Sequence, residues 1–175
     1  MRYFQVVCAA EFSLFFELPA WEHVILQATV TEPALHHAAL AIGALTSSRY
    51  HPDMWGKRPT IEFSVRHYSM AIQELGRQLD ESSQSLEVAI IASVAFSYIE
   101  FLLGLESRIE IHVQAGRNLL EDLYKRLDRR LEVSNQGGPS WQVSSLSAKC
   151  DLLANAMFQV TAQVSHSMVF ESDQQ

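Results

Sequence analysis

Cysteine is scarce in this sequence, and the scarcity excludes several kinds of small domain. The 175 residues include two cysteines, Cys8 and Cys150. A disulfide scaffold needs more, and a cysteine-rich zinc module needs four or more closely spaced ligands. A chain of this length needs no such cross-links, because it buries roughly 70% of its unfolded surface. We therefore predict one domain over residues 1–175.

Basic charge is also in short supply. Lys and Arg number 13 against 20 Asp and Glu, which gives a net charge of −7. Since phosphate neutralisation dominates nucleic-acid affinity, this balance argues against direct nucleic-acid binding. The sequence contains no phosphate loop, no G-x-S-x-G and no i, i+4 His pair for zinc. We expect no metal and no cofactor, and we favour a non-enzymatic role.

Signals for secretion and for a membrane span are weak. Glu11 and Glu17 interrupt the apolar N-terminal run, and no small-residue cleavage site follows. The stretch Val88 to Leu105 is about long enough to cross a bilayer. However, it contains Glu100 and has no basic flanks, which is typical of a buried core helix. These features and the free cysteines favour an intracellular location.

Helical periodicity dominates, because Gly and Pro are sparse (7 and 5 residues) and strand signals are weak. We predict an all-α fold, an array of about six to seven helices packed as antiparallel hairpins. The first two helices are predicted at 3–17 and 20–30, and a third follows Pro33 and ends before a loop at 48–60. Thr60 is predicted to cap the next helix, to about 79, and two more follow at 86–103 and 107–133. A loop at 134–147 then separates the core, 4–133, from a C-terminal helix at 148–170.

Glu100 is the most informative ionisable residue. Its helical neighbours are mostly apolar, and an unpaired buried carboxylate is costly. In an antiparallel hairpin centred near residue 106, Glu100 and His112 are each six residues from the turn. We therefore predict that they face each other across the hairpin. They would form either a structural hydrogen-bonded pair that fixes helix register or an acid/base dyad in a pocket.

Two glycines and four other residues complete the candidate list. Gly104 is predicted to end the core helix as a left-handed cap. Gly104 and Gly116 are also predicted to permit close helix contact, since glycine inside a helix otherwise costs about 1 kcal/mol. If the protein has a pocket or a lid, its candidate residues are His36, Trp55, His67 and Tyr98.

Several sequence strings, in order, resemble the fungal-specific regulatory (middle homology) domain of zinc binuclear-cluster transcription factors. These are WEHVILQ at 21–27, TEPALHHAALAIGAL at 31–45, HYSMAIQEL at 67–75, FSYIEFLLG at 96–104 and HVQAGRNLL at 112–120. Together they extend the resemblance over about residues 4–125. It implies an all-α domain that regulates transcription in the nucleus, often of metabolic or biosynthetic genes.

In that family, the DNA contacts come from an N-terminal six-cysteine cluster that holds two zinc ions, and the present 175 residues do not contain this cluster. The first interpretation is therefore an effector-interaction domain that acts through protein contacts, in the nucleus or the cytoplasm. The second is a small-molecule binder or cofactor-free enzyme with an interhelical pocket. The third is a helical dimerisation module. A protein partner or a homodimer is expected, with a small-molecule effector as a further possibility and no membrane.

Overall fold

The computed structural model describes residues 1–11, 19–51, 57–79, 82–134 and 147–162. Within these ranges the chain forms seven helices and no strand, which confirms the predicted all-α fold. The helices are α1 (2–11, with a π-helical turn at Phe4–Cys8), α2 (Pro19–Thr31), α3 (Pro33–Tyr50), α4 (Lys57–Gln78), α5 (Ser83–Leu103), α6 (Glu106–Ser134) and α7 (147–162).

Two helix pairs account for most of the packing: α3 lies along α4, and α5 lies along α6. Helix α5 also packs against α3, and it touches α4 more lightly. Its buried side chains, from Leu86 to Glu100, occupy the centre of the described core. Helix α7 contributes Leu153, Met157 and Val160 to the same cluster.

Both ends of α5 are capped, and the helix begins at Ser83, three residues before the predicted start at 86. At the start, the Ser82 hydroxyl accepts a hydrogen bond from the Ser85 amide at 3.0 Å. At the end, Gly104 has a φ of 70° and its amide bonds back to the carbonyl of Phe101. Among the described helices, α5 is long and apolar enough to span a membrane, but it is mostly buried inside the protein, as a core helix would be.

The predicted loop at 48–60 is too long at both ends. Helix α3 continues to Tyr50, because no helix breaker intervenes before Pro52. Helix α4 already begins at Lys57, since its first turn accommodates Pro59, whose missing N–H costs nothing there. Thr60 therefore lies inside the helix and does not cap it. Trp55, the candidate lid residue, is outside the described residues, as are 135–146 of the predicted 134–147 loop.

Candidate functional site

The structure brings Glu100 and His112 together, with a third residue between them. The Nε2 atom of His112 lies 3.7 Å from Oε1 of Glu100, which is too far for a direct hydrogen bond. The Tyr68 hydroxyl of α4 bridges the gap: it lies 2.8 Å from Oε1 of Glu100 and 2.7 Å from Nε2 of His112. The hairpin pair is thus a three-helix network of Glu100, Tyr68 and His112.

The donors in this network follow from the single proton of a phenol. Tyr68 donates to Glu100, so it has no second proton for His112. His112 must then donate from Nε2 to the Tyr68 oxygen.

Burial shifts the pKa of two residues of the network, Tyr68 and His112. It raises the pKa of the Tyr68 phenol, and the adjacent Glu100 raises it further, so Tyr68 remains a neutral hydroxyl. Burial also lowers the pKa of His112, although Glu100 opposes that shift. Both effects come from the same apolar surroundings, in which the Phe96 ring makes T-shaped contacts with the rings of Tyr68 and His112.

The network joins three helices at one buried point. Glu100 is 1% exposed, and its Oε2 atom has no hydrogen-bond partner among the described residues. Sequence reasoning did not identify Tyr68, but two signals pointed to it. It lies on the apolar stripe of α4, and a buried tyrosine hydroxyl normally finds a partner. Once bridged in this way, α4, α5 and α6 cannot slide past one another without breaking a hydrogen bond.

The two glycines differ in role. A methyl group on Gly116 would lie 2.8 Å from the sulfur of Met157 and 3.0 Å from Cβ of Ser93. Gly116 is therefore the point where α5, α6 and α7 approach closely. A methyl group on Gly104 would meet nothing within 4 Å. Gly104 is a helix cap with positive φ, and its predicted role as a helix contact is corrected.

The other candidate residues lie apart from the network. His37 and His67 share a hydrogen bond between their Nδ1 atoms at 3.0 Å, across the α3–α4 interface. His36 is exposed, with its Nδ1 3.3 Å from the carbonyl oxygen of Thr29. Tyr98 is half-buried and stacks on Phe101. His36 and His67 therefore lie on either side of the His37 ring, and Tyr98 lies elsewhere, against Phe101.

Two of the open grooves on the surface of the described residues each have a volume of about 440 Å³. The first lies between α2, α5 and α7 and carries Glu32, Glu87 and Lys149 on its walls. The second lies at the far end of α5, where Arg49, Ile61 and Gly104 meet. Neither groove is lined by Glu100, Tyr68 or His112. In the described part of the chain, no group of three or more His, Cys, Asp or Glu side chains could hold a metal ion.

A comparison with protein families extends the sequence resemblance. The family model described as "Fungal specific transcription factor domain" matches residues 1–167, almost the whole chain and more than the sequence strings covered. No curated protein and no solved structure matches the chain significantly. The family match supports a regulatory role within transcription factors. The chain therefore belongs to the fungal specific transcription factor domain family.

Proposed function

We propose that this chain is an effector-interaction domain that regulates transcription through protein contacts. The observation that carries the proposal is the combination of family membership with a network that locks helices together. Glu100, Tyr68 and His112 are bonded to one another, and the side chains of Glu100 and Tyr68 are buried. This arrangement suits a rigid scaffold better than an acid/base dyad, which would need to reach a substrate.

The expected place of action follows from the family. Regulation in the nucleus, of metabolic or biosynthetic genes, is part of the same proposal. The 175 residues contain no six-cysteine cluster, so DNA contact would be supplied from outside them. A fluorescently tagged chain expressed in a fungal cell should accumulate in the nucleus when it is joined to, or binds, a DNA-contacting partner.

A reporter assay tests the regulatory role. The chain is fused to an unrelated DNA-binding domain whose operator lies upstream of a reporter gene. A several-fold change in transcription, relative to the DNA-binding domain alone, is expected. The matched control is Ile99→Glu, which places a charge at a position that is 0% exposed and should unfold the domain. If the folded chain and this variant have the same effect, the proposal fails.

A second candidate function, small-molecule binding, is favoured by the groove between α2, α5 and α7. Its volume is within the range of ligand sites. Apolar side chains line it: Val24, Ala28, Val88, Ile91, Leu152 and Leu153. Lys149 bonds Glu87 at 2.9 Å, which leaves Glu32 as the additional charge on the wall. The groove therefore suits an apolar molecule with a cationic group.

Thermal unfolding with a panel of small apolar amines tests this second function. Binding to the folded state raises the unfolding midpoint, and the rise increases with the logarithm of the ligand concentration. Leu152→Trp should abolish the rise, because Leu152 lines the groove and a larger ring would fill it. An equal rise in the variant would place the binding elsewhere and exclude the groove.

A further inference from the structure

One side of α4 has apolar residues that the rest of the described chain does not cover. Four large side chains are between 44% and 49% exposed: Ile61, Val65 and Ile72 on α4, and Leu79, which directly follows its last residue and bonds back to the Leu75 carbonyl. They share an arc of about 80° with two small residues. We call the six residues the outer stripe: Ile61, Val65, Ser69, Ile72, Gly76 and Leu79.

The outer stripe adjoins the buried face of α4 but is distinct from it. The buried face includes Ser64, Tyr68 and Ala71 and packs on α3 and α5. Apolar residues on α4 thus extend past the part that the protein's own helices cover. Single exposed apolar residues are ordinary on a protein surface, but a continuous row along a helix marks an interaction site.

Large and small residues are placed along the outer stripe so that, when two copies lie antiparallel, large residues at the middle of one copy face small residues of the other. If two copies of α4 lie antiparallel with the two-fold axis near residue 70, positions whose numbers sum to 140 or 141 face each other. Val65 then faces Gly76 of the second copy, Ile72 faces Ser69, and Ile61 faces Leu79. Each β-branched side chain at the middle of the stripe therefore meets a small residue.

The small positions are open enough to receive those side chains. A methyl group built on Gly76 would meet nothing within 4 Å, so the space above it is free. Ser69 is exposed, and its hydroxyl bonds its own helix at the Val65 carbonyl. The Ser69 hydroxyl therefore needs no hydrogen-bond partner from a neighbouring molecule.

Two exposed charges on the same side of the outer stripe are also self-complementary. Around the helix, Glu62 lies about 20° and Arg77 about 80° beyond the Ser69 edge of the stripe. Their numbers sum to 139, so the antiparallel pairing sets each at the height of the other in the second copy, within reach of the long Arg77 side chain. Both are exposed, and their present partners are neighbours on the same helix, Arg58 and Glu74. Those exposed pairs contribute little, so Glu62 and Arg77 can also serve a partner.

From these observations we propose that the outer stripe is a homodimer interface, in which α4 packs antiparallel on α4 of a second copy of this chain. A two-fold axis uses the same surface on both subunits, which requires the self-complementarity seen here. The interface goes beyond the proposed regulatory function and does not depend on it.

Sedimentation of the full chain over micromolar to millimolar concentrations is the first test. The wild type should pass from monomer to dimer. Ile72→Glu should remain monomeric, because it places a charge in the centre of the interface. The matched control is Val30→Glu, at a position that is 74% exposed on α2, and it should dimerise like the wild type. A wild type that stays monomeric, or equal losses in both variants, would overturn the proposal.

A charge exchange tests the register. Glu62→Arg or Arg77→Glu alone should weaken dimerisation about two- to fivefold, as expected for an exposed ion pair. The double variant should restore it, since the two charges then meet again with their signs reversed. Failure of the double variant to recover would overturn the antiparallel register.

Cross-linking tests the direction of packing. In the proposed pair, the two copies of residue 69 are offset along the helix by about 4 Å, and those of residue 58 by about 37 Å. With a short thiol cross-linker, Ser69→Cys should yield covalent dimer and Arg58→Cys should not. The native cysteines are buried and should not react. Equal cross-linking at both positions would indicate a parallel pair and contradict the proposal.

Discussion

Helices α4 and α5 have nearly the same length, 22 and 21 residues, but the protein uses them in opposite ways. Helix α5 is buried from Leu86 to Glu100 apart from half-buried Glu87 and Tyr98, and its buried polar side chains each bond a neighbour. The hydroxyls of Ser93 and Ser97 bond the carbonyls four residues earlier at 2.9 Å, and Glu100 accepts from Tyr68. Helix α4 is amphipathic, is covered mainly by α3, and leaves apolar residues half-exposed.

This difference separates what holds the domain together from what it presents to other molecules. A substitution in α5 acts on the core, where removed atoms leave a cavity. A substitution on the outer stripe of α4 acts on a surface that the folded monomer does not need. Three measurements can break or sharpen this comparison.

The largest effect is expected from a matched pair of truncations. Ile99→Ala in α5 should lower the free energy of unfolding by about 2–5 kcal/mol, because Ile99 is fully buried and its loss leaves a cavity. Ile72→Ala in α4 should cost less than about 1 kcal/mol. Urea unfolding of dilute protein measures both. Similar decreases in the free energy of unfolding for the two variants would mean that α4 and α5 contribute equally to stability at these positions.

A smaller effect is expected from Tyr68→Phe, which changes the residue of α4 that reaches into the core of α5. It deletes one hydroxyl and leaves Glu100 and His112 without their shared partner. The free energy of unfolding should fall by about 1–3 kcal/mol. Tyr50→Phe is the control, since Tyr50 is exposed. Stability that matches the control would mean that the network does not lock the helices.

The smallest expected effect is a change of folding stability with pH. Burial lowers the pKa of both His112 and His67 in the folded chain below the ordinary value of 6.5. Below that value the unfolded chain binds more protons than the folded one, so stability should fall as the pH decreases through this window and level off above it. Urea midpoints between pH 5 and 8 measure it. Replacing both histidines with Gln should reduce the change of the urea midpoint with pH. An unchanged pH dependence would show that other groups cause it.

Part of the candidate site could be predicted from the sequence because hairpin geometry is local. Glu100 and His112 are equally far from the turn, so their closeness follows from the antiparallel pairing of consecutive helices. Tyr68 comes from α4, 32 residues before Glu100. Its position depends on how α4 packs against another hairpin, and the helical period does not specify that. The same reason explains why His36, His67 and Tyr98 did not form one pocket: being polar on a helix does not say which neighbour a residue will meet.

The sequence by itself determined the all-α class, the central place of α5, the cap at Gly104 and the family, because periodicity, caps and sequence strings are properties of short segments. Tertiary structure decided the Tyr68 bridge, the contact of Gly116 with α7 and the half-exposed outer stripe. These depend on which faces of distant helices meet, and burial of apolar surface across the whole chain makes that choice.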